Sequence, residues 1–548
     1  MKMLHNKYKT IIKSLMLMIA LLVFIISILS LSSCRGLDND KIINVGGVAA
    51  VKINLLGSEY ANSDKPGKVA SINENRLNVD NGAQCYSFLV SPSSFISANL
   101  SPAIALNTVA STSNKLNTMA AVSGNQLESG IKFRVIAYKE NDGSYQTYQD
   151  YTIGQLAQPM MLDFGETYNM IVYSYGAANL PSISTVEQSN LSGATVNYDD
   201  TNRDFMYQKI SYTPDRNNPN NILNITLRHK LAQITTIINS DSLGDITAVT
   251  GVLTPHYSNG IFSLSSGSMS GRSTTTSGEP LVYLASEFPG AIVTADPIFI
   301  NADSQGNATG SLSATISIGG TNKTINLPNS FKITPENKSN LTINLIKCGA
   351  YIGPNNDRTN YKEFMCQNLG ATEGVDPFSP EAGNHGAKYQ WGAQTNESGR
   401  YYSQADDQIN SGNIIGWSSI GKPDGSWSDT GKTANDPCPS GYRVPTRAQW
   451  QAVMENNNAE RVGSWSNVGN YTSALYFRGT SNRRTLMLPA AGNRSYVNGM
   501  LRARGQTGFY WSTSLAHEKS VNLNVLVNGM SFGDSFRMNG LSVRCIAE

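Results

Sequence analysis

The tightest constraint on this chain is a period of two. Val51-Lys52-Ile53-Asn54-Leu55, Ile222-Leu223-Asn224-Ile225-Thr226-Leu227 and Leu341-Thr342-Ile343-Asn344-Leu345-Ile346 alternate apolar and polar residues. Successive side chains of an extended strand point to opposite faces, so such runs have one face for a core and one for water. Residues 133–138, 168–173 and 232–237 repeat the pattern more loosely. Clusters of Gly, Pro and Asn bound each run, as turns between strands require. Long amphipathic helical patterns are missing, and strands at this spacing predict a mainly β protein built of β-sandwiches. With 40% hydrophobic residues, regularly placed, the body of the chain has enough apolar surface to fold. Its 548 residues suit two to four domains at ~100–200 residues each.

The N-terminus carries an export signal. Lys2, Lys7, Lys9 and Lys13 precede an apolar run over 15–29, then Leu31-Ser32-Ser33-Cys34. A basic head, an apolar stretch and small residues form a secretory signal. The cysteine after the small residues resembles a bacterial lipobox, which implies a signal peptide over 1–33, lipidation of Cys34 and a lipidated linker over 34–44. A single membrane-spanning anchor is the alternative, but it leaves Cys34 unexplained. The rest of the chain is expected outside the cytoplasm. Its 42 basic and 40 acidic residues form no basic stripe, which excludes nucleic acid as an expected partner.

Beyond Cys34 the cysteines are Cys85, Cys348, Cys366, Cys438 and Cys545. Export permits disulfides, and the last four lie close enough in sequence to form two, with three pairings open. Cys85 is expected to be a small buried strand residue. Without CxxC or a nearby histidine pair, a zinc site is not expected. Every tryptophan follows Cys348, which marks a separate domain over 348–548. The polar, turn-rich stretch 180–221 is read as the boundary between two sandwiches, over 45–180 and 181–347.

Both sandwich regions approach a final strand through similar segments, Phe164-Gly165-Glu166-Thr167-Tyr168-Asn169 and Pro335-Glu336-Asn337-Lys338-Ser339-Asn340. With His229-Lys230-Leu231-Ala232-Gln233-Ile234, this resembles the fimbrillins of Bacteroidota-type fimbriae across residues 45–347, implying two transthyretin-like β-sandwich domains. The C-terminal region carries Cys348-Gly349-Ala350-Tyr351, Phe364-Met365-Cys366-Gln367-Asn368-Leu369-Gly370-Ala371, Tyr389-Gln390-Trp391-Gly392, Pro437-Cys438-Pro439-Ser440-Gly441-Tyr442-Arg443-Val444-Pro445, Leu488-Pro489-Ala490-Ala491-Gly492 and Val543-Arg544-Cys545. These resemble a repeated surface-protein domain first catalogued as a paralogous family in Fibrobacter. The resemblance implies an α+β fold like C-type lectins and formylglycine-generating enzymes, with Cys348–Cys366 and Cys438–Cys545 as pairs.

The fimbrillin resemblance implies a lipoprotein of the outer membrane whose first strand, about residues 49–56, is removed by a trypsin-like protease. Lys65, Lys68 and Arg76 follow that strand and are the candidate processing sites. The bared sheet edges would then accept a strand from a neighbouring subunit. The segment 541–548 falls inside the lectin-like domain, where a disulfide would prevent its donation. The expected role is therefore an accessory or tip subunit, similar to minor subunits of Porphyromonas-type long fimbriae. Other fimbrial subunits are its expected partners, with host protein or glycan as further ones. The alternative is a stand-alone surface lipoprotein that binds glycan or protein.

No catalytic pattern emerges, and no cofactor is expected. His229, His256, His385 and His517 are scattered, without HExxH, GxSxG or a P-loop. Asp406-Asp407 reads as a solvated pair. The formylglycine enzymes need free thiols that disulfides would consume, and fold alone does not carry function. The sugar-binding carboxylate motifs of calcium-dependent lectins are absent, Trp465-Ser466-Asn467 being the nearest approach. Tyr510, Trp511, Arg502, Arg504 and Arg537 form a candidate binding face, although Tyr510 and Trp511 read more readily as core residues.

Overall fold

The structure, a computed structural model, describes residues 47–62, 84–103, 125–240, 243–478 and 484–548. Cys34, Lys65, Lys68 and Arg76, with the signal and the lipidated linker, lie outside the described residues. The first ten strands are β1 (Val48–Glu59), β2 (Gln84–Ser91), β3 (Ser94–Pro102), β4 (Lys132–Lys139), β5 (Tyr145–Thr152), β6 (Met160–Asp163), β7 (Tyr168–Ser174), β8 (Thr195–Asn197), β9 (Met206–Tyr212) and β10 (Ile222–His229). The next ten are β11 (Ala232–Asn239), β12 (Ile246–Thr254), β13 (Ile261–Ser263), β14 (Ser268–Ser270), β15 (Glu279–Pro280), β16 (Ile292–Thr294), β17 (Ile298–Ile300), β18 (Gly310–Ile318), β19 (Thr321–Phe331) and β20 (Lys338–Lys347). The period of two is real: in β10, Leu223, Ile225 and Leu227 are buried while Ile222 and Asn224 are exposed.

The chain forms two compact units. Of the described residues, the smaller takes in 47–54, Leu156–Tyr168 and Ser211–Asn224. There the first half of β1 runs antiparallel to β6, with Val48 opposite Asp163 and Val51 opposite Met160. On its other side the Lys52 amide donates to the Asn221 carbonyl at 2.8 Å. In the larger unit, strands follow the order β5-β4-β7-β9-β10-β1. Ile136, Tyr138, Ile171 and Tyr173 from that sheet, with Phe205 just before β9, share a core with Val196 and Phe262 of the small sheet β14-β13-β8 and with Leu264 just after β13.

The second sandwich, also in the larger unit, stacks the sheet β16-β11-β20-β3-β2 on β15-β12-β18-β19. Ile96, Leu100, Ile234, Ile238, Leu341 and Ile343 of one sheet meet Val249, Leu253, Leu312, Ile316, Ile325 and Leu327 of the other. This corrects the sequence-based boundaries. The hairpin β2–β3 falls within 45–180, yet it pairs with β20 from Ser94 opposite Lys347 to Pro102 opposite Ser339. Residues 181–229 belong with the first sandwich instead, through β8, β9 and β10. Alternation reports which face of a strand is buried but not which sheet it joins, and the polar stretch 180–221 holds the buried Leu191, Val196, Tyr198, Phe205 and Tyr207 among its turns. Cys85 lies in β2 as expected, but it is exposed rather than buried.

Past Cys348, short sheets of two or three strands alternate with helices α1 (Gln404–Ile409) and α2 (Arg447–Asn456). Helix α2 starts at a capping box, with Thr446 and Gln449 each bonding the other's backbone amide. All six tryptophans are buried, four of them to 1% exposure or less, so they build the core of this region. Disulfides join Cys348 to Cys366 and Cys438 to Cys545. The β2–β3 turn plugs into the first of these. The Cys348 amide donates to the Ser93 carbonyl and the Cys366 amide to the Pro92 carbonyl, both at 2.7 Å. The Ser93 hydroxyl donates to Glu363 at 2.6 Å, and the Phe95 ring stacks on Phe378 at 5.1 Å.

Because β3 belongs to the second core, Leu100→Ala should destabilise that sandwich by about 2–4 kcal/mol. Hydrogen exchange checks this: amides of β11 and β20 should lose protection, while those of β4 and β5 should keep theirs.

Candidate functional site

The residues proposed as a binding face do not form one. Tyr510 and Trp511 are fully buried, Tyr510 donating to the Pro489 carbonyl and the Trp511 indole to the Tyr389 carbonyl, both at 2.7 Å. They are core residues, because each indole or phenol needs an internal acceptor once desolvated. Arg537 is buried on the Trp391 ring, paired with Asp424 at 2.5 Å. Arg504 is buried against Asp407 at 2.7 Å. Of the five, Arg502 alone is exposed.

Asp407 is also not the solvated carboxylate its sequence neighbourhood suggests. The Ser403 side chain caps α1 through the Asp406 amide, leaving Asp406 exposed and turning Asp407 inward to 1% exposure. Arg494 meets it at 2.7 Å, Arg504 at 2.7 Å and Lys388 at 3.5 Å, all three cations being buried. Burial opposes ionisation of Asp407, but Lys388, Arg494 and Arg504 outweigh it and hold the carboxyl below its usual range. Burial, with the neighbouring guanidinium groups, lowers the Lys388 ammonium below its own. His385 is likewise buried, and desolvation with the charges of Lys388 and Arg504 drives it down to about 3.

This cluster fixes two loops. Arg494 donates to the carbonyls of Asp407, Asn410, Gly412 and Gly499, while the Ile414 amide bonds the Asn498 carbonyl at 2.9 Å. Ile409 at the end of α1, and Ile415 and Val497 in the loops so held, are exposed to solvent. Among the described residues, no group of three or more His, Cys, Asp or Glu side chains converges where a metal could sit.

A second cluster, also unannounced by any motif, sits at the end of β1. His229 Nδ1 lies 2.5 Å from Asp204 Oδ1, and its Nε2 lies 3.0 Å from the Ser58 hydroxyl. With Nδ1–H donating to the carboxylate, Nε2 accepts the Ser58 proton. Nucleophile, base and orienting acid at these spacings are the parts of an acyl-transfer triad. The surroundings do not suit that chemistry: Ser58 and His229 are 3% and 6% exposed, and the Tyr60 ring lies flat on the imidazole at 4.0 Å. Ser58 is further fixed by backbone bonds to Asn125 in both directions, at 2.9 and 2.7 Å. The trio acts as a clamp on the strand. Only the approach of Ser58 to the His229 strand end could have hinted at it, and that approach is a matter of pairing.

No family model matches the chain, and no curated protein sequence matches it. Among solved structures, a candidate cell-adhesion protein from Bacteroides uniformis is similar over 40% of this chain and 87% of its own, at 14% identity and a TM-score of 0.28. A fimbrial assembly protein from Parabacteroides distasonis is similar over 38% of this chain and 82% of its own, at 12% identity and a TM-score of 0.25. A candidate cell-adhesion protein from Bacteroides fragilis is similar over 54% of this chain and 93% of its own, at 11% identity and a TM-score of 0.27. Likeness this partial leaves function to be argued from the chain's own residues.

The His385 shift has a signed consequence. An unfolded chain protonates this histidine near its ordinary 6.5, whereas the folded one refuses the proton until about 3. Stability should therefore fall as pH drops through that window, by about 1.4 kcal/mol per pH unit from this group. Urea midpoints at pH 7, 6 and 5 should show the decline, and His385→Gln should flatten it. Asp407→Ala, which strands three buried cations, should cost about 3–5 kcal/mol by the same measurement at pH 7.

Proposed function

We propose that this protein is an accessory or tip subunit of a cell-surface fimbria, a fimbrillin-like lipoprotein of the outer membrane that accepts a neighbouring subunit's strand and supports adhesion. The observation that carries this reading is the placement of β1. It is an interior strand, with β6 on one side and the backbone of Asn221 on the other. The link that follows it carries Lys65, Lys68 and Arg76. Cleavage there and loss of β1 would leave rows of unpaired amides and carbonyls beside apolar slots. Such a groove is stable only when another strand fills it.

The other half of the reading is that segment 541–548 is not for donation. Cys545 is bonded to Cys438, Ile546 pairs with Arg443, and the Leu541 and Tyr389 backbones bond each other in both directions at 2.9 Å. A subunit that accepts a strand while holding this segment in place suits an accessory or terminal position. Nothing in this role calls for catalysis. The lectin-like identity of residues 348–548 belongs to the same proposal, supported by its two disulfides and its α+β make-up. A stand-alone surface lipoprotein is the second reading, favoured by the exposed side chains of Ile409, Ile415 and Val497.

Mass spectrometry of fimbriae sheared from cells separates the two. A mature chain starting just after Lys65, Lys68 or Arg76 is the expected result. Lipidated Cys34 in the membrane fraction, with none of the protein in the fimbriae, would establish the stand-alone reading instead.

A further inference from the structure

The body and the end of β1 are held by different physics. Along Val48–Val51 antiparallel pairing with β6 holds the strand, and over Val51–Asn54 an alternating apolar face adds to it. Both features tolerate a slip of two residues, because the faces stay in phase. The segment from Ser58 to Asn62 is held residue by residue. Ser58 bonds His229, which Asp204 orients. The Glu59 carboxylate accepts from Arg228 at 2.5 and 3.2 Å. Tyr60 stacks on His229 with rings 5° from parallel, and the Lys338 ammonium stands 5.9 Å from its centroid. The Ala61 amide donates to the Glu336 carbonyl at 2.8 Å. Asn62 makes a two-way bond with the Lys338 backbone, at 2.7 and 3.1 Å.

The receptors come from two places: the end of β10 (Arg228 and His229, with Asp204 behind) and the entry to β20 (Glu336 in the turn before it and Lys338, its first residue). Their polar atoms are arranged for one sequence. After a two-residue slip, Leu56 or Tyr60 would stand where Ser58 stands, and the buried His229 Nε2 would meet an aliphatic side chain or a ring whose hydroxyl lies too far out to replace that of Ser58. A buried acceptor that has lost its partner is costly in a way that a solvated one is not.

We propose that this cluster is a sequence-reading subsite, at which the site of the first strand selects its occupant. The ligand it takes is an extended peptide with a hydroxyl residue, then an acidic residue, then an aromatic ring, followed two positions later by a carboxamide. The inference rests on the strand-exchange reading and deepens it. The apolar ladder supplies general affinity for strands, and the Asp204–His229 end sets register and admits a partner strand of matching chemistry.

The test uses the full chain with a specific protease site placed between Asn62 and Gln84. The chain is cut after folding and offered fluorescein-labelled synthetic peptides of residues 48–62. The native peptide should displace the cut strand and be retained. Peptides carrying Ser58→Ala or Tyr60→Ala should be retained about ten- to a hundredfold less well, and one with the Ser-Glu-Tyr triplet moved by two positions no better than these. Lys52→Ala, at an exposed position of the strand, should change little. A His229→Phe chain, if it folds, should no longer distinguish the native peptide from Ser58→Ala; the peptide series decides the matter whether or not it folds. Equal retention of all peptides would overturn the subsite and leave strand exchange standing. Failure of the cut chain to take up any peptide would overturn the strand-exchange reading, and the subsite with it.

Discussion

The pairing of β3 with β20 is the constraint on which the larger unit depends. Nine consecutive positions match, and the partners lie more than two hundred residues apart in sequence. Closing so long a loop costs little more entropy than closing one half its length, since the cost grows only with the logarithm of length. The return is large. Ile96, Ala98 and Leu100 enter the second core, β2 covers the outer side of β3, and the Pro92–Ser93 turn is delivered to the Cys348–Cys366 disulfide. A hairpin from early in the chain thus fixes both the second sandwich and the start of the C-terminal region. Burial pushes the Glu363 carboxyl upward there, but Lys347 and Ser93 outweigh it and hold it below its usual range, so the Ser93 bond is to a charged acceptor.

Much of the secondary structure was legible because it is written in side-chain alternation. β7, β10, β11 and β20 lie where the period of two places them, and the tryptophans after Cys348 mark the core they build. Strand partners were not legible. A run such as Gln84–Ser91 is equally fit for either sandwich, and only its neighbours in space decide. The buried polar groups were hidden for a related reason. Asp407 sits among polar residues, and its partners Lys388, Arg494 and Arg504 are far from it in sequence, so no spacing announces them. Ser58 is one serine among many until β1 is laid beside β10. The two disulfides came from a family resemblance rather than from spacing, which left three pairings open.

The two polar clusters have different consequences. Lys388, Arg494 and Arg504 around a single carboxylate hold more positive than negative charge out of water, which is a poor way to gain stability. What the arrangement does supply is direction: the guanidinium of Arg494 reaches the carbonyls of Asp407 in α1, of Asn410 and Gly412 after it, and of Gly499, and a planar donor with fixed angles permits few alternative geometries. The backbone near the exposed Ile409, Ile415 and Val497 is tied down by these bonds, and an apolar side chain on a tied backbone loses less entropy on meeting a partner.

At the end of β1 the same logic applies to a strand rather than to loops. Backbone ladders are strong but indiscriminate, since every residue except proline offers the same amide and carbonyl. On the strand-exchange proposal, the site of β1 gains specificity only from groups that fail when the wrong side chain arrives. His229 between Asp204 and Ser58, under the Tyr60 ring, is such a group. Its placement at the last residue of β10, one step before the chain crosses to the second sandwich, lets Glu336 and Lys338 read the residues immediately beyond. On that proposal, affinity and selection fall to separate lengths of one strand, and a change in one need not compromise the other.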